Sequence, residues 1–314
     1  MKTIVSPSDC AVAIGVPLTR ERFVQRFDAA EEGSFIFEYL QSGRAPERDA
    51  HAAWNRWSDT AGQMERALKQ VERKGVTVRR DASLQDLLAL IERFEVVTVV
   101  SHWRSAIFRR ADLPDPQAVD IALADPGHAL HRAVMASTNA PPRGDDRLAV
   151  LNRALFADTR DVPLARPHQA PPGRLSELQS RWHERRLQLE ACGPGLFRGG
   201  ASIEFAEGLQ TVETIVAGIP KSYDRLLDLT VCTCVLLATR IKQQAPACHV
   251  ACNEQLTYPL PRMLMYRYVV DWLSKHPGAF EDAVFKVRAR IQSEVDHERN
   301  KAIAGPLFGQ RTLR

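Results

Sequence analysis

An alternation of β-branched runs with amphipathic segments is the feature of this sequence that most constrains its fold. Residues 76–80 (VTVRR) and 96–103 (VVTVVSHW) have the composition of strands, and the helical sequence SLQDLLALIERF begins between them at a capping residue, Ser83. A strand, a helix and a second strand in so short a stretch form a βαβ unit with parallel strands. The sequence therefore predicts an α/β fold with a mostly parallel central sheet flanked by helices.

The same alternation returns in the last third of the chain. Strands are predicted at 201–206, at 225–232 and within 246–254, and helices at 211–220, 234–244, 261–276 and 279–295. We assign residues 76–103 and 201–295 to the core of one domain that spans residues 1–314.

The remaining regions differ from this core. Residues 1–75 are predicted to be mainly helical, with a short first strand at 2–5 and a long helix at 48–74. Residues 104–200 are rich in proline and carry helical patches, which predicts a largely helical insertion in the same domain. The tail, residues 300–314, is expected to be loose.

Composition excludes several classes of protein. The 314 residues are 45% hydrophobic and 25% charged, with a net charge of +4, which is typical of a globular protein that does not bind nucleic acid directly. No apolar run is long enough to span a membrane. Four of the six cysteines lie within residues 232–252, in predicted core elements, which favours reduced thiols and a cytoplasmic location. No phosphate-binding glycine motif occurs, and we expect no cofactor.

Two residues with complementary chemistry follow predicted strands. His102 follows VVTVVS, and Cys232 follows LLDLTV and precedes a predicted helix. Functional residues of parallel sheets gather at the carboxyl ends of the strands. A cysteine nucleophile needs a nearby base, and a helix N-terminus favours a thiolate. The placement predicts a catalytic His–Cys pair; taken singly, each residue also fits a purely structural role as a turn histidine or a buried core thiol.

Two alternatives concern the other cysteines. Cys234 competes with Cys232 as the nucleophile, and we prefer Cys232 because position 234 falls in the first turn of the predicted helix. The residues Cys232, Cys234, Cys248, His249 and Cys252 suggest zinc, but their spacing lacks paired C-x-x-C knuckles, and we predict no metal site.

The order of these elements resembles the CHAT branch of the caspase-like (clan CD) cysteine peptidases. In that family a strand ends in the histidine; a strand and turn of the form LxLADG, a helix and the strand with the cysteine follow, then a helix, a strand, a loop and two helices. The matching segments here, within 76–103 and 200–292, are VVTVVSHW, SIEFAEGLQTVETIVAGIP, LLDLTVC, VACNEQLTYPLPRMLMYRYVVDWL and FEDAVFKVRARIQ. The resemblance implies a caspase-like sandwich.

The resemblance also implies a function. The chain would be a cysteine endopeptidase in which His102 is the general base and acid, Cys232 attacks the scissile carbonyl, and backbone N–H groups near Trp103 and Cys232 hold the oxyanion. Its partners would be a protein substrate and an activating protein, because such peptidases are often latent, and bacterial defence and regulated cell death are typical settings.

Four residues are candidates for substrate recognition, because the family selects the residue before the scissile bond in a pocket beside the cysteine strand. Asp228 and Thr230 alternate with Cys232 on one strand face, and Asn253 and Glu254 end the next predicted strand. An acid at 228 or 254 would favour a basic side chain. The alternatives are a hydrogen-bonded core Asp228 and a solvated loop Glu254.

The chain departs from the family pattern beside both candidate residues. Trp103 replaces the glycine that most often follows the histidine, and the context VCTCV lacks the glycine that follows the cysteine. The insertion between the two is also long. The alternative function is therefore a catalytically inactive caspase-like module that binds a partner protein.

Overall fold

The computed structural model of the chain divides into two compact units. One comprises Met1–Ala30, Ser34–Trp103 and Ile203–Arg314, and the other comprises Glu31–Gly33 and Arg104–Ser202. The structure describes residues 4–30, 34–37, 48–138, 147–157, 174–231, 234–253, 259–297 and 310–313. Within these ranges no helix has the length and apolar character needed to cross a membrane. The single domain with an insertion stays a prediction.

Strands and helices alternate along most of the described chain. The strands are β1 (Cys10–Ile14), β2 (Thr77–Arg79), β3 (Val96–Val100), β4 (Trp103–Arg104), β5 (Ser202–Phe205), β6 (Gly208–Thr211), β7 (Leu226–Thr230), β8 (His249–Asn253) and β9 (Gln310–Leu313). The helices are α1 (Arg20–Phe27), α2 (Ala50–Glu72), α3 (Leu84–Arg93), α4 (Pro116–Ala124), α5 (Ala129–Thr138), α6 (Arg147–Leu155), α7 (Arg174–Cys192), α8 (Val212–Gly218), α9 (Val235–Gln244), α10 (Pro259–Lys275) and α11 (Phe280–His297).

The central sheet has the strand order β2-β1-β3-β7-β8-β9. The first five strands are parallel, and β9 is antiparallel to β8. Val96 to Val100 of β3 lie opposite Leu226 to Thr230 of β7. This arrangement confirms the predicted α/β fold with a mostly parallel central sheet.

The first strand is not where the sequence predicted it. The strand expected at residues 2–5 is wrong in its described part, since Val5 forms only an isolated bridge with Gly278. A short 3₁₀ turn follows, and the strand begins at Cys10, with all five residues of β1 buried. The CAVAI run lies between β2 and β3, so both of its edges are paired and both of its faces are covered.

Helices pack on both faces of the sheet. On one face, α2 and α10 pack together over the even-numbered residues of β1, in a core that includes Val12, Trp57 and Met64. On the other face, Ala11 and Ala13 are also buried, and α3 contacts β1 and β3. The carboxyl ends of the strands therefore form one edge of a closed apolar core.

Two further strands differ from the predictions, and helix α4 lies in the region that was predicted to be largely helical. Strand β6, which was not predicted, begins at Gly208 with φ +110 and joins β5 and β4 in a separate three-stranded sheet. Helix α4 lies in the proline-rich region, where Asp115 caps its N-terminus ahead of Pro116. The tail expected to be loose contains β9.

The second unit has its own core. Helices α4, α5, α6 and α7 pack around buried residues that include Val119, Leu130 and Leu151. Arg186 of α7 is fully buried there, and its guanidinium lies 4.3 Å from the ring centre of Phe108.

Candidate functional site

His102 lies just beyond the carboxyl end of β3, as predicted from the sequence. Its side chain is half-buried. Its carbonyl accepts a hydrogen bond from the backbone N–H of Glu204, at 3.1 Å, and its ring lies 6.1 Å from the ring of Phe35 at an interplanar angle of 68°. These contacts hold the imidazole at the edge of the sheet where ligands of parallel α/β folds bind.

Cys232 and Glu254 lie outside the described residues. The structure describes the chain on either side of the predicted nucleophile: β7 ends at Thr230, Val231 is buried, and α9 begins after Cys234. Strand β7 is the direct neighbour of β3 in the sheet. The strand that leads to Cys232 thus lies beside the strand that leads to His102.

The rival nucleophile, Cys234, is the N-cap residue of α9 and is fully buried. Its thiol donates a hydrogen bond to the carbonyl oxygen of Leu229, at a distance of 3.5 Å. Burial also raises the pKa of Cys10 and of Cys248 to about 12, so that these thiols stay protonated at neutral pH. Since the thiolate is the nucleophile, Cys10 and Cys248 are poor candidates for a reactive thiol.

The cysteine–histidine segment 248–252 comprises Cys248 and the first four residues of β8. Cys248 donates from sulfur to the carbonyl oxygen of His249, at 3.4 Å. The part of the chain that the structure describes contains no group of three or more histidine, cysteine or acidic side chains arranged to hold a metal.

Asp228 lies in the middle of β7 and is 4% exposed. One of its carboxylate oxygens accepts a hydrogen bond from the hydroxyl of Thr98, at 3.2 Å. Arg262 and Tyr266 of α10 line the same small cavity, and burial raises the pKa of the Tyr266 hydroxyl well above its ordinary value. These surroundings are those of a hydrogen-bonded core acid, the alternative that the sequence left open.

The other described candidates lie nearer the edge of the sheet. Thr230 is the last residue of β7, and Asn253 is the last residue of β8. Trp103 lies in β4 and is 7% exposed. The roles of these residues in substrate or oxyanion binding stay predictions.

Sequence reasoning missed Glu204, a buried acid of β5. One carboxylate oxygen accepts the backbone N–H of Phe35, and the other lies 3.5 Å from the guanidinium of Arg26. Arg26 also donates to the carbonyl of Gly15, at 2.7 Å, and pairs with Asp81. The signal was present in the sequence, since an acid in a strand whose residues are all buried needs partners.

The described part of the site thus offers a half-buried imidazole at a strand end, and the main chain of His102 is hydrogen-bonded to the main chain of the buried Glu204. Histidine is the side chain that most often serves as a general base and acid in enzymes. Comparison of the chain with known protein families, curated proteins and solved structures finds no match.

Proposed function

We propose that this chain is a caspase-like cysteine endopeptidase with His102 and Cys232 as its catalytic dyad. The observation that carries the proposal is the pairing of β3 with β7, in which Val100 lies opposite Thr230. His102 follows Val100 by two residues, and Cys232 follows Thr230 by two residues. Neighbouring strands are about 4.8 Å apart, a spacing that side chains beyond paired strand ends can bridge.

The order of the described elements supports the caspase-like part of the proposal. Beyond β3 and His102 the chain passes through β4 and helices α4 to α7, and then forms β5, β6, α8, β7, α9, β8, α10 and α11. This is the order on which the resemblance to CHAT-type peptidases was based, and the parallel sheet supplies the neighbouring strand ends that a dyad requires.

In the proposed reaction, His102 accepts the proton of the Cys232 thiol, and the thiolate attacks the scissile carbonyl carbon. Backbone N–H groups near Trp103 and Cys232 hold the oxyanion. His102 then protonates the leaving amine, and water hydrolyses the thioester. The scheme needs no metal or cofactor.

We also propose a protein substrate, selected through Asp228, Thr230, Asn253 and Glu254, and latency until a protein partner activates the enzyme. Bacterial defence and regulated cell death are the settings that the resemblance suggests. The described cysteines are free thiols, which supports the cytoplasm as the location.

Alkylation of Cys232 by iodoacetamide, followed by mass spectrometry, tests the dyad. We expect Cys232 to react at least about tenfold faster than a free thiol at neutral pH, because an imidazole partner increases the thiolate fraction. In His102→Gln, Cys232 should react no faster than a free thiol. The matched control is His276→Gln, a substitution of an exposed histidine after α10, which should leave the rate unchanged.

A rate for Cys232 that equals that of a free thiol and does not change in His102→Gln would reject the dyad. Activity needs a second measurement, since the enzyme is proposed to be latent. Cys232→Ala should abolish cleavage of a partner protein that the wild-type chain cleaves, and undiminished cleavage would reject Cys232 as the nucleophile.

One observation favours the second candidate, a catalytically inactive module that binds a protein. Trp103 is buried in β4, where the family most often has a glycine. A buried tryptophan in a strand has little of the backbone freedom that glycine gives. This candidate would be supported if alkylation of Cys232 is slow and does not depend on His102, while the chain still binds its partner protein.

A further inference from the structure

We infer that Glu204 is the positioning residue of His102. Its backbone and its carboxylate connect the histidine to three other segments of the first unit: the end of β1, helix α1 and residues 34–37. The catalytic meaning of this inference rests on the proposed function, whereas the connection itself is a property of the described structure.

The first connection is through the main chain. The backbone N–H of Glu204 donates to the carbonyl of His102 at 3.1 Å, and the hydroxyl of Ser101 donates to the carbonyl of Glu204. Ser101 is 2% exposed, so this second hydrogen bond is shielded from water. Both residues that follow β3 are therefore fixed to the same residue of β5.

Gly15, which follows β1, makes this arrangement possible. Its N–H donates to the carbonyl of Val100 at 2.9 Å. A Cβ atom at this position would lie 2.2 Å from the carbonyl oxygen of Glu204 and 2.4 Å from the hydroxyl of Ser101. Only glycine allows the main chain of β5 to approach the end of β1 so closely.

The second connection is through the carboxylate and Phe35. The N–H of Phe35 donates to Oε2 of Glu204, which fixes the backbone of Phe35. The fully buried Phe35 ring lies 4.6 Å from the ring of Trp57 and 6.1 Å from the ring of His102, edge to face in both cases. Phe35 therefore limits the rotation of the imidazole from one side.

The carboxylate of Glu204 has a charged partner in addition to the N–H of Phe35. Oε1 faces Arg26, whose guanidinium also pairs with Asp81, and Arg22 lies 3.1 Å from the other oxygen of Asp81. Each oxygen of Glu204 thus faces a different donor. A glutamine at 204 would present an NH₂ group to one of these two donors, so Glu204→Gln disturbs the connection without changing the size of the side chain.

The cluster offers a matched control. Each oxygen of Asp81 also faces a separate guanidinium, but the described hydrogen bonds of Asp81 do not involve Phe35 or His102. Asparagine tolerates the backbone of Asp81, whose φ is +50. Asp81→Asn therefore introduces the same donor conflict in the same cluster. A second variant, Phe35→Leu, removes the ring and leaves every charge in place.

The experiment is ¹H–¹³C NMR of the full chain labelled at histidine, with the His102 signal assigned by its loss in His102→Gln. We expect this signal to move in Glu204→Gln and in Phe35→Leu, and to stay in place in Asp81→Asn. Alkylation of Cys232 should slow about tenfold in the first two variants only, because the imidazole loses its orientation.

An unchanged His102 signal in Glu204→Gln and in Phe35→Leu would overturn the inference. Equal movement in Asp81→Asn would also overturn it, since Glu204 would then act only through general stability. A third outcome separates the two proposals. If the His102 signal moves in Glu204→Gln and Phe35→Leu alone, but alkylation of Cys232 in the wild-type chain does not depend on His102, the positioning role is supported and the peptidase is rejected. Phe35→Leu keeps the test valid if Glu204→Gln fails to fold.

Discussion

Asp228 shows how one buried polar residue can serve either the core or a substrate. It is 4% exposed, and the hydroxyl of Thr98 on the neighbouring strand donates to it. A buried carboxyl group needs such donors, because burial without hydrogen bonds is costly. Its position in the middle of β7, two residues before the strand end, indicates a contribution to stability.

Asp228→Asn should lower the free energy of unfolding by about 1–3 kcal/mol, because the amide cannot accept hydrogen bonds at both of its polar atoms. Thr98→Val, which removes the described donor, is the matched variant, with an expected loss of about 1 kcal/mol. Urea unfolding followed by circular dichroism measures both. Unchanged stability together with a lost preference for basic residues in cleavage would instead assign Asp228 to the substrate pocket.

The sequence allowed the position of His102 at a strand end to be predicted, but not the partners of Glu204. A histidine directly after a β-branched run marks a strand end, and in a parallel sheet that position alone suggests function. Glu204 acts through residues distant in the chain, Arg26 and Phe35, and no local pattern relates it to them. For Asp228 the sequence left a core role and a substrate role open, because its burial depends on how α10 covers the sheet.

At the level of elements, periodicity predicted the helices better than the strands. Helices α2 and α3 were found because their apolar residues recur at helical spacing, and each begins after a recognisable N-cap residue, Asp49 for α2 and Ser83 for α3. Strand β1 was missed because CAVAI contains alanines, which are uncommon in strands. Its strand conformation comes from its pairing with both β2 and β3, which is a tertiary effect.

The N-cap of α3 gives a test at this level. The hydroxyl of Ser83 accepts the N–H of Asp86, and the carboxylate of Asp86 accepts the N–H of Ser83. Ser83→Ala should lower the free energy of unfolding by about 1 kcal/mol. Ser58 lies within α2 and does not cap a helix, so Ser58→Ala should change the free energy of unfolding by less than about 0.5 kcal/mol. Equal losses in urea unfolding would contradict the capping role.

At the level of the whole molecule, the two units are stabilised differently. The first is built on a sheet with apolar faces, whereas the second contains a buried ionic centre. Its Arg186 is fully buried, and it pairs with Asp112 at 3.2 Å and with Glu190 at 2.6 Å. It also donates to the carbonyl of Arg198, at 2.8 Å. One side chain therefore connects α7 to several segments of the second unit.

Arg186→Met should destabilise the second unit by about 3–5 kcal/mol, because it removes one of the two arginines that pair with the fully buried Asp112 and breaks the ion pair with Glu190. Arg181→Met, on the same helix, removes a half-exposed arginine that pairs with Glu177 and should cost less than about 0.5 kcal/mol. Hydrogen exchange with mass spectrometry should locate the lost protection in Arg104–Ser202. An equal loss of hydrogen-exchange protection in both units would contradict the assignment of Arg186 to the stability of the second unit.

The pairing of β3 with β7 has a consequence for how the chain reaches its native state. These neighbours in the sheet are separated in sequence by everything from Ser101 to Arg225, including the whole of Arg104–Ser202. Bringing such distant strands together requires closure of a long loop, and each doubling of loop length adds about 0.6 kcal/mol of entropic cost. Contacts of this kind slow folding, so we expect β3 and β7 to pair late. A newly synthesised chain would then carry both proposed catalytic residues for some time before the pairing of β3 with β7 brought them together.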